Sequence, residues 1–201
     1  MIALIDYNTG NIRSVINALQ RIGADDVRIT SDKELILSAS HVLLPGVGNA
    51  AAAMEELKKR ELDTFIPTLT QPVLGICIGA QLMCESSEEG DTRCLGIFPT
   101  PVKLFPSSLT LPDGQRLKVP EMGWNQITSL RSPLFTDIPE GSFVYYVHSF
   151  YPALSSSAIA VTEYGFPFSA ALNERNFYGT QFHPEKSGKV GEKILRNFLK
   201  L

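Results

Sequence analysis

The segment from Gln71 to Met83, QPVLGICIGAQLM, leaves a folding chain few options. Val73, Leu74, Gly75 and Ile76 make a short apolar run of the kind buried on both faces of a parallel sheet. Cys77 follows at once, with a glycine two residues to either side, as Gly75-x-Cys77-x-Gly79. Beyond it Ile78, Gln81, Leu82 and Glu85 recur at helical spacing, which predicts a helix. A strand, a tight turn and a helix form a nucleophile elbow, which thrusts one side chain out above the sheet in a strained conformation. The flanking glycines are needed where a Cβ would strike the neighbouring strand or helix. A thiol so placed lies at a helix N-terminus, whose dipole favours thiolate, and the Ile78 amide can donate to an oxyanion. A lone cysteine is more often a core residue. The glycine spacing is what reverses that expectation for Cys77.

The chain around the elbow alternates strands with helices. Ile2 to Ile5 is a buried-strand run, and a helix is predicted from Asn11 to Arg21, with Ile12, Val15, Ile16 and Leu19 on one face and Gly23 ending it. Val27 to Thr30 reads as a second strand, followed by a short helix over Asp32 to Ala39 with Ser31 as its cap. His41 to Leu44 is a third strand, ending in Pro45-Gly-Val-Gly48. Helices to about Arg60 and from Asp63 to Thr70 precede the elbow strand. This rhythm predicts a doubly wound α/β fold with a largely parallel sheet flanked by helices. Ligands of such sheets bind beyond the carboxyl ends of the strands. Asn8, Gly46 to Gly48 and Cys77 all follow a strand and should share that edge.

The second half is richer in β runs: Val102 to Phe105, Leu109 to Leu111, Arg116 to Val119, Phe143 to Val147, Ala158 to Thr162, Phe168 to Ala171 and Tyr178 to Phe182. Pro112-Asp-Gly114 is a hairpin signal between the second and third of these. A closing helix is expected from about Lys189 to Leu199. These runs are expected as antiparallel β additions to the parallel sheet, leaving one domain over residues 1–201. Glu85 to Asp91 reads as a solvated loop.

Composition narrows function by exclusion. A net charge of −3 lacks the basic surplus of a nucleic-acid binder. No apolar run is long enough to predict a transmembrane helix, and the N-terminus reads as a strand, not a signal peptide. Cys77, Cys84 and Cys94, an odd number with no histidine nearby, predict neither a disulfide framework nor a zinc site. A reducing, cytoplasmic compartment fits best.

A cysteine nucleophile needs a base, and the base needs an orienting group. Of the three histidines, His41 precedes a buried strand and reads as structural, while His148 and His183 each follow a strand. In an extended chain residues i and i+2 point the same way, so His183 and Glu185 can set a carboxylate beside an imidazole, with Pro184 stiffening the link. An isolated His-x-Glu is more often a surface pair. Combined with an elbow cysteine, it favours catalysis by Cys77, His183 and Glu185.

These motifs, Gly75-Ile-Cys77-Ile-Gly79-Ala-Gln81 with His183-Pro-Glu185, resemble the class I, triad-type glutamine amidotransferases, whose fold is flavodoxin-like. Matching motifs run from residue 6 to residue 198. Within that family, Asp6-Tyr-Asn-Thr-Gly-Asn11, Pro45-Gly-Val-Gly48, Met122-Gly-Trp-Asn125, Val147-His-Ser149 and His183-Pro-Glu-Lys-Ser-Gly188 resemble the glutaminase subunits of imidazole glycerol phosphate synthase, from histidine biosynthesis. The resemblance implies that Cys77 attacks glutamine and forms a γ-glutamyl thioester, with His183 as acid and base and Glu185 orienting it. It implies an oxyanion hole from the amides of Ile78 and of Val47 or Gly48, each donor worth on the order of 10²–10³ in rate. Glutamine would be bound by Gly46, Gly48, Gln81, His148, Ser149 and Phe150, largely through main-chain atoms. No cofactor and no metal are implied. The partner implied is a β/α-barrel cyclase subunit that receives the ammonia in a heterodimer, met by Asn11, Trp124, Asn125, Tyr145 and Lys186. On the residues alone, the single Trp124 suits a core as well as an interface.

The sequence also departs from the branch, which often has His where this chain has Glu121, and Leu and Met where it has Ile78 and Ala80. Glu121 bears on local partner contacts and leaves the triad untouched. Competing readings are another amidotransferase subunit, a free-standing cysteine hydrolase of γ-glutamyl peptides, and a silent regulatory subunit. Met122-Gly-Trp-Asn125 argues against the first, and retention of Cys77, His183 and Glu185 against the last.

Overall fold

A computed structural model describes residues 1–8, 11–110, 114 and 116–201. Its strands β1 (Ile2–Ile5), β3 (His41–Leu44) and β4 (Val73–Ile76) are buried almost throughout, as their unbroken apolar runs require. Fully burying a leucine such as Leu4, Leu43 or Leu74 contributes about 1.5–3 kcal/mol. With β2 (Val27–Thr30), β11 (Ala158–Glu163), β12 (Pro167–Glu174) and β13 (Phe177–Thr180) they form a seven-stranded sheet of order β11-β12-β13-β4-β3-β1-β2. The five strands from β13 to β2 are parallel, and β12 and β11 continue the sheet antiparallel. The expected antiparallel additions are therefore present. The carboxyl end of β4 is flanked by those of β3 and β13, so Cys77 emerges between the Pro45–Gly48 loop and the segment carrying His183.

Helices flank the sheet. Helices α1 (Ile12–Arg21) and α6 (Gly188–Phe198) pack on each other, and α3 (Ala50–Lys59) packs on α4 (Leu62–Phe65) and α5 (Ile78–Leu82). Helix α2 (Lys33–Ser38) is capped by Asp32, which accepts from the Leu35 amide at 2.9 Å, and not by Ser31. The helix expected over Asp63 to Thr70 is instead α4 followed by a 3₁₀ turn at Ile66–Thr68. Pro67, which has no N–H to continue the α ladder, lies in that turn.

The largest correction follows the elbow. Its helix stops at Leu82, and the supposed loop begins with a strand, β5 (Cys84–Ser87). Backbone N–H groups of Leu95, Gly96, Ile97 and Phe98 take the carbonyls of Leu82, Met83 and Cys84, and so compete the helix away. Strand β5 joins β6 (Thr92–Arg93), β7 (Phe98–Leu104) and β10 (Phe150–Pro152) in a separate four-stranded sheet. Strand β7 thus starts four residues before the expected Val102, with Pro99 and Pro101 hiding its first half.

Among the described residues, the runs at Leu109 and Arg116 meet in a bridge between Thr110 and Arg116. Leu111 and two residues of the hairpin signal, Pro112 and Asp113, lie outside the described residues, as do Thr9 and Gly10 of the first loop. Strand β8 (Glu121–Ile127), like β5, β6 and β10, was not anticipated; it pairs with β9 (Ser142–His148) as a two-stranded ribbon. It contains the Met122-Gly-Trp-Asn125 motif, and Gly123 sits there at φ +133°, a conformation other residues avoid.

Candidate active site

Cys77 has φ 53° and ψ −109°, outside the regions ordinary residues favour, at a cost of about 1–3 kcal/mol. The surroundings impose it. A Cβ on Gly79 would lie 1.8 Å from the Leu44 carbonyl oxygen of β3, and one on Gly75 would lie 2.7 Å from the Gly79 carbonyl. The turn of α5 is thus pressed onto both strands, and Cys77 N–H donates to the Thr180 carbonyl at 2.7 Å. With five residues, α5 supplies little dipole to Cys77, so the neighbouring side chains dominate its electrostatics.

His183 follows β13. Its Nδ1 is 2.8 Å from Glu185 Oε1, and both side chains are buried. The link between them is a 3₁₀ turn over Pro184–Lys186, and not the extended segment expected. The turn is clamped. His183 N–H donates to the Tyr145 carbonyl at 2.9 Å, and Ser187 Oγ accepts from the Tyr145 amide while donating to the His183 carbonyl. Asn11 Nδ2 donates to the same Glu185 oxygen as His183, which leaves that carboxylate doubly held.

Among the described residues His183 Nε2 is buried with no hydrogen bond of good geometry, and His183 lines the same cavity as Cys77. Burial pulls the imidazolium pKa down. The Cys77 sulfur, chiefly by charge, and Glu185 more than offset this and raise it to about 10. Cys84 and Cys94 differ: burial raises both thiols, Cys94 to about 11, and neither lines this cavity.

The cavity holds about 380 Å³. Val47, Gly48, Cys77, Ile78, Gln81, His148, Ser149, Phe150 and His183 all line it, so the structure brings most of the sequence-derived set together. Glu185 stands behind His183. Gly46 is absent from the wall; a Cβ there would meet the Tyr7 hydroxyl at 2.6 Å and the Gly79 amide nitrogen at 2.9 Å, so it serves close packing on the elbow. The His148 ring is almost wholly buried, bonded to Glu121 and to the Phe150 carbonyl, so it offers the cavity little side-chain surface.

Sequence reasoning passed over several residues here. Glu89 places a carboxylate in the wall and accepts from the Ala50 amide at 2.7 Å. Gln181 bridges Gln81 and the Cys77 sulfur, at 2.9 Å and 3.7 Å. Pro120 and Val147 complete the lining. Glu89 was hidden by the acidic run that reads as a solvated loop, and nothing but its place beside Phe182-His183 marks Gln181.

Of the other predicted positions, Trp124, Asn125 and Tyr145 lie on the ribbon and Lys186 beside it, in the turn after His183. Strand alternation turns Met122 and Trp124 of β8 and Phe143 and Tyr145 of β9 to one face, where Trp124 is 56% exposed. Trp124 packs edge-on against Tyr145 at 6.0 Å, and Lys186 Nζ lies 5.9 Å from the Tyr145 ring. Asn125 points to the other face, donating to Glu121 and to the Glu163 carbonyl. Trp124 is therefore a surface residue.

The family model for glutamine amidotransferase class-I matches residues 3–201. The chain belongs to this family. The amidotransferase is 54% identical, over 200 residues, to the imidazole glycerol phosphate synthase subunit HisH of Bacteroides fragilis strain YCH46, covering 100% of this chain and 99% of that one. It is 45% identical to the subunit of the same name from Shewanella loihica, covering 98% and 89%. Among solved structures, a glutamine amidotransferase superposes with a TM-score of 0.73 at 14% identity, covering 100% and 98% of the two chains. Another, from Thermotoga maritima, gives 0.64 at 16%, covering 97% and 80%. These two support the fold alone.

Proposed function

We propose that this amidotransferase is the glutaminase subunit of an imidazole glycerol phosphate synthase, acting as one domain over residues 1–201 in a reducing, cytoplasmic setting. The observation that carries the chemistry is the placement of His183, held by Glu185 and sharing a cavity with the elbow sulfur of Cys77. Cys77, as thiolate, attacks the carboxamide carbon of glutamine. The resulting oxyanion is met by the Ile78 amide and an amide of the Val47–Gly48 turn. His183 passes its proton to the nitrogen as the C–N bond breaks, releasing ammonia and leaving a γ-glutamyl thioester. The now neutral His183 takes a proton from water, which attacks the thioester and yields glutamate and free Cys77. Glu89 offers a carboxylate for the α-ammonium of glutamine.

The exposed face of Met122, Trp124, Phe143 and Tyr145 suits a partner surface. It adjoins the His183–Glu185 turn through Tyr145. The partner in this reading is a β/α-barrel cyclase that uses the ammonia on a phosphorylated aminoimidazole carboxamide nucleotide. Its products are imidazole glycerol phosphate and an aminoimidazole carboxamide ribotide. The test is glutamate release by the chain alone, with the cyclase subunit, and with cyclase plus nucleotide. A large rise that needs both additions is expected. Full activity indifferent to both contradicts the subunit reading and favours a free hydrolase.

A further inference from the structure

Glu121 stands directly across the ribbon from His148. Their side chains are 4% and 2% exposed, and the rings of Phe105, Tyr146 and Phe168 enclose the imidazole. His148 Nδ1 lies 2.7 Å from the Phe150 main-chain oxygen, and its Nε2 lies 2.9 Å from Glu121 Oε2. A carbonyl oxygen can only accept, so Nδ1 must carry a hydrogen. The second contact then needs one further proton, shared between Nε2 and Oε2. Glu121 Oε1 is occupied as well, accepting from Asn125 Nδ2 at 2.8 Å.

The Phe150 oxygen has a second donor, Gln81 Nε2 at 2.9 Å. Gln81 continues to Gln181, and Gln181 to the Cys77 sulfur. A carboxylate remote from the nucleophile thus fixes the ring whose N–H fixes the carbonyl from which Gln81 hangs. We propose that Glu121 is a positioning residue for the glutamine pocket, holding His148 with its hydrogen on Nδ1 and so setting the 148–150 wall and the Gln81 amide. This rests on reading the cavity as the glutamine site.

The chemistry separates two substitutions. Leucine at 121 leaves Nε2 buried without a partner; the imidazole can gain only by turning, and a turned ring takes its Nδ1 hydrogen off the Phe150 oxygen. Glutamine at 121 keeps every bond, its N–H meeting Nε2 and its oxygen serving Asn125. The pattern of donors and acceptors is what the site requires, and a net charge is not.

The experiment uses the full chain with its partner and the variants Glu121→Leu and Glu121→Gln. Nitrogen NMR of the His148 ring reads the Nδ1 hydrogen, and steady-state kinetics separate KM for glutamine from kcat. The wild type should show hydrogen on Nδ1. Glu121→Leu should lose the bond of that N–H to the Phe150 oxygen and raise KM about tenfold with kcat within about threefold, and Glu121→Gln should restore both. A wild-type ring without hydrogen on Nδ1 overturns the proposal even if Glu121→Leu does not fold. So does a wild-type KM in Glu121→Leu, or a Glu121→Gln as impaired as Glu121→Leu. A wild type that hydrolyses no glutamine contradicts the assignment of the cavity instead, while the ring resonances of wild type and Glu121→Gln still decide whether Glu121 holds His148.

Discussion

At the scale of single residues, the site works by opposing burial with charge. His183 is buried, which alone would lower its pKa, yet the Cys77 sulfur and Glu185 raise it to about 10. Since the folded value exceeds the ordinary 6.5, protonation of His183 stabilises the fold fully below pH 6.5, and that contribution is lost as pH rises towards about 10. Substituting Cys77→Ser removes the sulfur's charge, so the imidazole pKa should fall. Histidine ring titration by NMR, wild type against variant, measures this; an unmoved pKa would mean that the sulfur does not act on His183. The pairing of Cys77, His183 and Glu185 was legible because each rests on a local motif. Glu89 and Gln181 were not, because their roles come from contacts with Ala50 and Gln81, far away in the chain.

At the scale of elements, tertiary contact decided what local pattern could not. The spacing of Ile78, Gln81, Leu82 and Glu85 promised a longer helix, but the backbone of Leu95 to Phe98 claims the carbonyls that helix would have used. Strand β8 escaped notice because glycine and asparagine are poor strand formers, and its inward glutamate finds a partner only when β9 is folded beside it. The strand and turn of the elbow, read from the apolar run and its glycines, are present. Gly79→Ala tests that geometry: with a Cβ 1.8 Å from the Leu44 oxygen, the strand and helix must part, at a cost of about 1–3 kcal/mol or more. Denaturant melts should show the loss as a lower midpoint. A midpoint equal to wild type would mean that the elbow is loosely packed.

At the scale of the molecule, the parallel sheet and the ribbon divide the labour. The sheet brings the ends of β3, β4 and β13 to one edge, and the ribbon walls the cavity with its end at Val147 and His148 while offering Trp124 to solvent further along. The α/β class and the parallel order followed from strand–helix alternation. The separate four-stranded sheet did not, since its strands are short and interrupted by proline. Trp124→Ala should weaken cyclase binding by about 2 kcal/mol or more, roughly a thirtyfold rise in Kd by titration, with activity recovered at saturating partner. An unchanged Kd would place the interface elsewhere.

Hydroxylamine interception tests most directly whether a γ-glutamyl thioester forms on Cys77. Hydroxylamine competes with water for a thioester, so turnover of glutamine by the assembled enzyme should yield γ-glutamyl hydroxamate at the expense of glutamate. Cys77→Ala should yield neither. Hydroxamate or glutamate formed by Cys77→Ala at the wild-type rate would contradict the account.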